Sequence, residues 1–118
     1  MTKFQMTISD VQVMQTWTLL MCAARDRKIY TDEELGKIIN AIPVNVVDIL
    51  RPIMKFCEKK EYPKLTILIV NANTRLPGIG LRGIDKTKIG EETEKIYEYP
   101  WLSVGVPDIN DFKKADKE

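Results

Sequence analysis

The chain has 118 residues, with 18 Lys and Arg against 17 Asp and Glu, no His and two Cys, and 44% of its residues are hydrophobic. This length suits one domain with its own core and leaves no room for a second sizeable one. The net charge of +1 excludes proteins that hold nucleic acid through a global positive field, so any phosphate contacts must come from a local patch.

The missing residue types also restrict the chemistry. Without His, the chain lacks Ser-His and Cys-His nucleophile pairs, the general base used most often, and the commonest zinc ligand. Cys22 and Cys57 lack CxxC spacing, and we expect both to be reduced, buried and inert. We therefore expect a non-catalytic protein with no metal and no cofactor. Since the N-terminus is polar and no run approaches the ~18–20 apolar residues of a membrane span, we expect a cytoplasmic protein with no membrane partner.

Three helix starts are predicted in the first half, each by a small polar residue followed three positions later by an acid or amide. The helices run from residue 10 to about 24, from 32 to about 40, and from about 46, and their starting pairs are Ser9 with Gln12, Thr31 with Glu34, and Asn45 with Asp48. Apolar residues at helical spacing predict the buried faces. These are Val13, Trp17, Leu20 and Ala24; Leu35, Ile38 and Ile39; and Val46, Ile49, Leu50, Ile53, Met54 and Cys57.

The pattern changes after Pro63. The short β-branched run LTILIV, residues 65–70, predicts a buried strand. The stretch after it is rich in Asn, Pro and Gly and predicts a reversal, so we expect a hairpin with arms Leu65–Val70 and roughly Ile79–Ile84. The two residues Ile29-Tyr30, between the first and second predicted helices, are a candidate for a third, minimal strand.

The whole chain is expected to be one domain, with its core over about residues 9–84. Residues 85–106 are expected to form a short helix or irregular extension packed on that core, and the charged segment 107–118 is expected to be a mobile tail. The order helix, short strand, helix, helix, strand and hairpin is typical of a winged helix, an α+β fold with three helices and a β-hairpin wing.

Four features carry a resemblance over residues 16–83: a first helix that contains Trp17, the stretch KIYTDEELGKI, a third helix that ends before a Pro, and the strand ILIV with a loop that closes on Gly78 and Gly80. In these features the chain resembles the winged-helix DNA-binding domain of the alkylguanine-DNA alkyltransferases and the non-catalytic alkyltransferase-like proteins. The resemblance implies a DNA-binding winged helix.

The chain differs from that family at the positions of the family's alkyl-accepting motif and of two of its DNA contacts. The family's Pro-Cys-His-Arg motif corresponds to residues 70–73, where Asn71 stands in place of the alkyl-accepting Cys, so the resemblance implies no alkyl transfer. Two positions that contact DNA in the family correspond to Asp48 and approximately to Asp32, and an acid facing phosphate is repulsive.

The expected wing carries the basic charge. Residues 63–88 hold five cations against one acid, whereas residues 45–61 hold four cations against three acids. Asn and Arg side chains can read base edges in pairs of hydrogen bonds, although Asn is also common in turns. The candidate DNA-contacting residues are Arg51, Lys55, Asn71, Asn73, Arg75 and Arg82.

Two hypotheses follow for the function. The first is a non-catalytic winged-helix module that contacts duplex DNA through the basic wing. The alternative is a small protein-interaction module on the same fold, for example a phage or mobile-element protein that inhibits a host factor, in which DNA binding has been lost. The basic wing favours the first, and the near-zero net charge with Asp32 and Asp48 favours the second.

Overall fold

The computed structural model describes residues 6–78 and 86–117. Within these ranges the chain forms six α-helices, which are α1 (Ile8–Asp26), α2 (Asp32–Ile39), α3 (Pro43–Lys60), α4 (Ile89–Glu98), α5 (Trp101–Val104) and α6 (Ile109–Lys117). Two 3-10 helices, Leu65–Leu68 and Lys86–Lys88, and two strands of two residues, β1 (Tyr30–Thr31) and β2 (Ile69–Val70), complete the described structure. The fold is therefore mostly helical.

The expected winged helix is wrong, because no β-hairpin wing occurs within the described residues. Most of the expected first arm is the 3-10 helix Leu65–Leu68. The strand β2 pairs in parallel with β1, which overlaps the predicted minimal strand Ile29-Tyr30 at Tyr30. The expected second arm, residues 79–84, lies outside the described residues. The strand predicted over residues 65–70 is wrong for its first four residues because all six residues are buried. The periodicity of a short, continuous apolar run does not distinguish a strand from a buried helical turn.

Of the three predicted starting pairs, one caps a helix in the structure. At α2 the pair is confirmed, because the Thr31 side chain accepts from the Glu34 N–H and the Glu34 carboxylate accepts from the Thr31 N–H. The α1 helix begins two residues earlier than predicted, with the same reciprocal bonds between Thr7 and Asp10. The α3 helix begins at Pro43 without a side-chain cap, since proline in the first turn has the helical φ and gives up an N–H that would lack a partner there.

The predicted apolar faces form the core, with one exception. Trp17 lies at the centre, where its ring contacts Phe56 and Trp101 edge-on at centroid distances of 5.7 and 5.8 Å. Its indole N–H donates to the Gly105 carbonyl at 2.9 Å, which ties α1 to the segment after α5. Ile38, predicted to be buried, is instead 54% exposed.

In place of the expected mobile tail, the C-terminal segment forms α6. Ile109, Phe112 and Ala115 recur on one helical face and are buried, and the Phe112 ring lies 5.1 Å from the Phe56 ring of α3. The helix starts at a local cap in which the Asp108 carboxylate accepts from the Asn110 N–H. A short amphipathic pattern is therefore sufficient to dock this segment against α3.

Candidate functional site

The two candidate DNA-contacting cations of α3 are both engaged within the protein. The Arg51 guanidinium donates to the Asp48 carboxylate at 2.6 Å, one turn earlier on the same helix. The Lys55 ammonium donates to the Asp116 carbonyl at 2.9 Å, and its nitrogen lies 3.6 Å from the Asp116 carboxylate. Lys55 thus faces α6 and joins the C-terminal helix to α3.

The Asn-rich segment after β2 forms a tight turn. The Asn71 side-chain oxygen accepts from the N–H groups of Asn73 and Thr74 at 2.8 and 3.0 Å, and the Asn71 N–H donates to the Leu76 carbonyl. Asn73 and Arg75 are exposed, and Arg75 has a φ of 61°, a left-handed conformation. The Asn71 side-chain oxygen therefore stabilises the turn, which is a common role of Asn and differs from the predicted contact with DNA bases.

The predicted site residues fall into separate groups. The turn lies at the end of β2, where Asn71 lines a small pocket with Val47 and Leu50 of α3, whereas Lys55 is bonded to α6. Arg82 lies outside the described residues. Among the described candidates, Asn71, Asn73 and Arg75 share one turn, and Lys55 is engaged by α6.

A different surface stands out at the end of the molecule where α1, α2 and α3 converge. The Gln12 side chain of α1 donates to the carbonyls of Ile39 and Asn40 at the end of α2, and the first turns of α1 and α3 line one cleft. Six of the ten large hydrophobic side chains that are exposed within the described ranges belong to these three helix ends and the turn between α2 and α3. We call this surface the apolar end, and its residues are Ile8, Val11, Ile38, Ile42, Val44 and Val47.

The apolar end borders a pocket of about 100 Å³ between α3 and the end of β2. Val47 and Pro43 belong to its lining, and buried aliphatic side chains of α3 and β2 complete it, with polar groups from Asp32 and Asn71. This volume is below the ~150 Å³ of an apolar cavity that holds benzene, so the pocket suits one aliphatic side chain.

A larger cleft of about 460 Å³ separates α1, α3 and α6, and its carboxylates are all paired with cations. Asp10 lies 3.0 Å from the Lys113 ammonium, while Asp48 and Asp116 pair with Arg51 and Lys55 as described above. Burial opposes the charge on Asp10, but the Thr7 N–H and the Lys113 ammonium outweigh it and lower the pKa of this carboxyl. Each of these carboxylates therefore has a cationic partner within the protein.

The two thiols differ in their surroundings. Cys57 is buried in the core, and burial raises its pKa to about 12, so the thiolate is suppressed as expected. Cys22 is only half-buried and lines an open groove beside Tyr99 and Leu102, so the expectation of full burial is wrong for this residue. The neighbouring Ala23 and Ala24, rather than Cys22, lie in the core.

Within residues 6–78 and 86–117, no three His, Cys, Asp or Glu side chains are grouped as a metal site would need. No helix of this described part is long and apolar enough to cross a membrane. Comparisons with protein-family models, curated proteins and solved structures found no match to this chain.

Proposed function

We propose that this chain is a non-catalytic protein-interaction module that binds a partner protein through the apolar end. The observation that carries the proposal is the concentration of exposed aliphatic side chains where three helices meet, led by Ile8, Val44 and Ile42 at 79%, 73% and 61% exposure. Several exposed aliphatic side chains gathered at adjoining helix ends are typical of interaction sites. Its burial stabilises a complex by about 25 cal/mol per Å² before the costs of association are counted.

The charges around this surface fit a protein partner better than a phosphate backbone. Affinity for duplex DNA depends on cations that face phosphates. Beside the apolar end, Arg51 is paired with the neighbouring Asp48, and Lys37 is an exposed cation in the last turn of α2. Lys55 lies further along α3 and is held by α6. An aliphatic centre with a few charges at its edge is the composition of a protein interface, in which the core is depleted of charge and the rim is polar.

The experiment places a photo-crosslinking benzoylphenylalanine at Val44, in cells of the native source, and identifies the crosslinked protein by mass spectrometry. The control carries the same group at Leu102, which is 82% exposed and lies in α5 rather than in the apolar end. We expect one defined product from position 44 and none of the same mass from position 102.

Calorimetry with the purified partner then measures the affinity. Val44→Asp should weaken binding by about tenfold or more, because it places a charge in the centre of an apolar contact, and Leu102→Asp should leave the affinity unchanged. Equal crosslinking from both positions, or binding that does not respond to Val44→Asp, would overturn the proposal.

Duplex DNA is the second candidate partner. Two observations favour it: α2 and α3 are joined by three residues, as in helix-turn-helix pairs, and Asn73 and Arg75 are exposed on the turn after β2. On this alternative, the exposed Arg75 would contact phosphate and the first turns of α3 would approach a groove. A titration with duplex DNA separates the two candidates.

A further inference from the structure

The chain contains the tripeptide Glu-Tyr-Pro twice, at residues 61–63 and 98–100, and the fold brings both copies to one cleft. The first copy follows α3 and the second lies at the end of α4. Their backbones differ, because the cap of α3 is Glu61 with a left-handed φ of 58° and the cap of α4 is Tyr99 with a φ of -73°. A common way of ending a helix therefore does not account for the repetition. What the two copies have in common is the cleft that they line.

We infer that this cleft binds an arginine side chain on an exposed segment of a partner protein. We call it the tyrosine cleft, and its described lining is the two tripeptides with Glu92 and Lys95 of α4. Its volume of about 540 Å³ is in the range of ligand sites in proteins. The inference goes beyond the proposed function, because this lining shares no residue with the apolar end and takes a charged ligand.

The charge of the tyrosine cleft favours a cation. Glu92 and Lys95 pair with each other at 3.0 Å, so their charges cancel. Among the described residues, no cation pairs with the carboxylate of Glu61 or of Glu98, which are both exposed. The α3 and α4 helices also end at this cleft, and the C-terminus of a helix carries the negative end of its dipole. Two carboxylates and two helix ends therefore give the cleft a negative potential.

Two lysines lie close to Glu61 in the chain but have other neighbours. The Lys60 ammonium lies 5.9 Å from the centroid of the Phe56 ring, and the Lys64 ammonium lies 3.8 Å from the Glu58 carboxylate. Neither lysine belongs to the described lining of the tyrosine cleft. The carboxylate of Glu61 is therefore available to a ligand, in contrast to the paired carboxylates of the cleft beside α6.

The two tyrosines select a guanidinium among the organic cations. The rings of Tyr62 and Tyr99 are half-buried, with centroids 5.6 Å apart and an angle of 49° between their planes. No residue of the described part of the chain bonds to their hydroxyls. A guanidinium has a planar face that stacks on aromatic rings, and its N–H groups pair with carboxylate and hydroxyl oxygens. An ammonium is compact and strongly hydrated, so it gains less from the same rings.

The repulsion between like charges favours a side chain within a polypeptide over the free amino acid. Free arginine brings its own carboxylate, which Glu61 and Glu98 would repel. In a polypeptide that group is an uncharged amide. The cleft also exceeds the size of one guanidinium group, which leaves room for the residues on either side of the arginine.

An amide NMR titration of the isotopically labelled full chain with acetyl-Gly-Arg-Gly-amide tests the inference. We expect saturable shifts of the amide signals of Glu61, Tyr62, Glu98 and Tyr99. The same peptide with lysine should bind several times more weakly. The peptide with citrulline, which keeps the planar group without its charge, should bind about tenfold more weakly or worse. Free arginine should also bind more weakly than the arginine peptide.

Substitutions that remove one charge and keep the size of the side chain locate the site. Glu98→Gln should raise the dissociation constant of the arginine peptide about threefold, and the double change Glu61→Gln with Glu98→Gln about tenfold. The matched control is Glu33→Gln, because Glu33 is an exposed acid in the first turn of α2 and its loss changes the net charge equally. This control should leave the affinity unchanged.

Four results would overturn the inference: no saturable shift with the arginine peptide, shifts confined to other parts of the chain, lysine, citrulline or free arginine bound as tightly as the peptide, and an equal loss in Glu33→Gln. Val44→Asp should bind the peptide as wild type does, because Val44 belongs to the apolar end. Failure of this titration therefore leaves the proposed function of the apolar end as it stands.

Discussion

Thr66 is a polar residue in apolar surroundings. It is fully buried in the 3-10 helix that precedes β2, and its hydroxyl lacks a hydrogen-bond partner within the described structure. A buried hydroxyl without a partner costs free energy, whereas an isosteric methyl group does not. The sequence offered no sign of this, because a threonine within an apolar run is equally compatible with a satisfied hydroxyl.

We predict that Thr66→Val raises the free energy of unfolding by about 1 kcal/mol, measured by urea denaturation. The matched control is Thr16→Val, since Thr16 is equally buried but its hydroxyl donates to the Gln12 carbonyl at 2.7 Å. That control should give no gain. A loss of stability in Thr66→Val would mean that the hydroxyl has a partner in solution.

Asp10 gives the stability of the protein a defined pH dependence. Its pKa in the fold is lowered, against ~3.9 for an unperturbed Asp, so the ionised group stabilises the fold above the unfolded pKa. This contribution is lost as the pH falls through the lower, folded pKa. Asp10→Asn keeps the shape and removes the charge.

We predict that wild type is more stable than Asp10→Asn by about 1 kcal/mol at neutral pH, and that the difference shrinks below pH ~4. Urea denaturation over a pH series measures it. A difference that stays constant from pH ~7 to ~3 would show that the charge of Asp10 is not the stabilising feature.

Among the elements, the junction of α2 and α3 depends on one glycine. A Cβ at Gly36 would overlap the backbone carbonyl oxygen of Ala41, in the turn that leads to α3. Backbone cannot move aside as a side chain can, and the Gly36 carbonyl also accepts from the Ala41 N–H at 2.7 Å. The close approach that glycine allows therefore sets how tightly the turn folds against α2.

We predict that Gly36→Ala lowers the free energy of unfolding by about 1–3 kcal/mol, although alanine is the better helix former. Gly90→Ala in α4 is the matched control, because its Cβ would meet nothing within 4 Å. There the change should stabilise the protein by up to about 1 kcal/mol. Equal effects at both positions in chemical denaturation would contradict the close packing at Ala41.

The helices and strands differ in how well the sequence alone predicts them. Thr31 and Glu34 could be recognised as a helix start because both halves of their interaction are local in sequence. The form of residues 65–68 could not be predicted, since burial on all sides removes the alternation that identifies a strand. The docking of α6 was missed for a different reason, because the burial of Phe112 depends on Phe56, which lies 56 positions earlier.

At the scale of the whole molecule, the apolar end could not have been predicted from the sequence. Helical periodicity identifies an apolar face, but only the arrangement of the other helices decides whether that face is covered. Leu35 and Ile38 were assigned to the same buried face of α2, yet Leu35 is fully buried and Ile38 is exposed. That difference exists only in the assembled fold, and it is one of the observations behind the proposed interaction surface.

The most direct measurement for the central claim uses the purified chain and labelled duplex DNA. The claim is that recognition depends on the apolar end and not on contacts with phosphate. Fluorescence anisotropy is followed at ~50 mM and ~200 mM salt for wild type and for the double change Arg75→Glu with Arg82→Glu, which reverses two of the cations that would contact phosphate. We predict no saturable binding of either protein at either salt concentration. Saturable binding by wild type that weakens with salt and disappears in the double variant would contradict the claim.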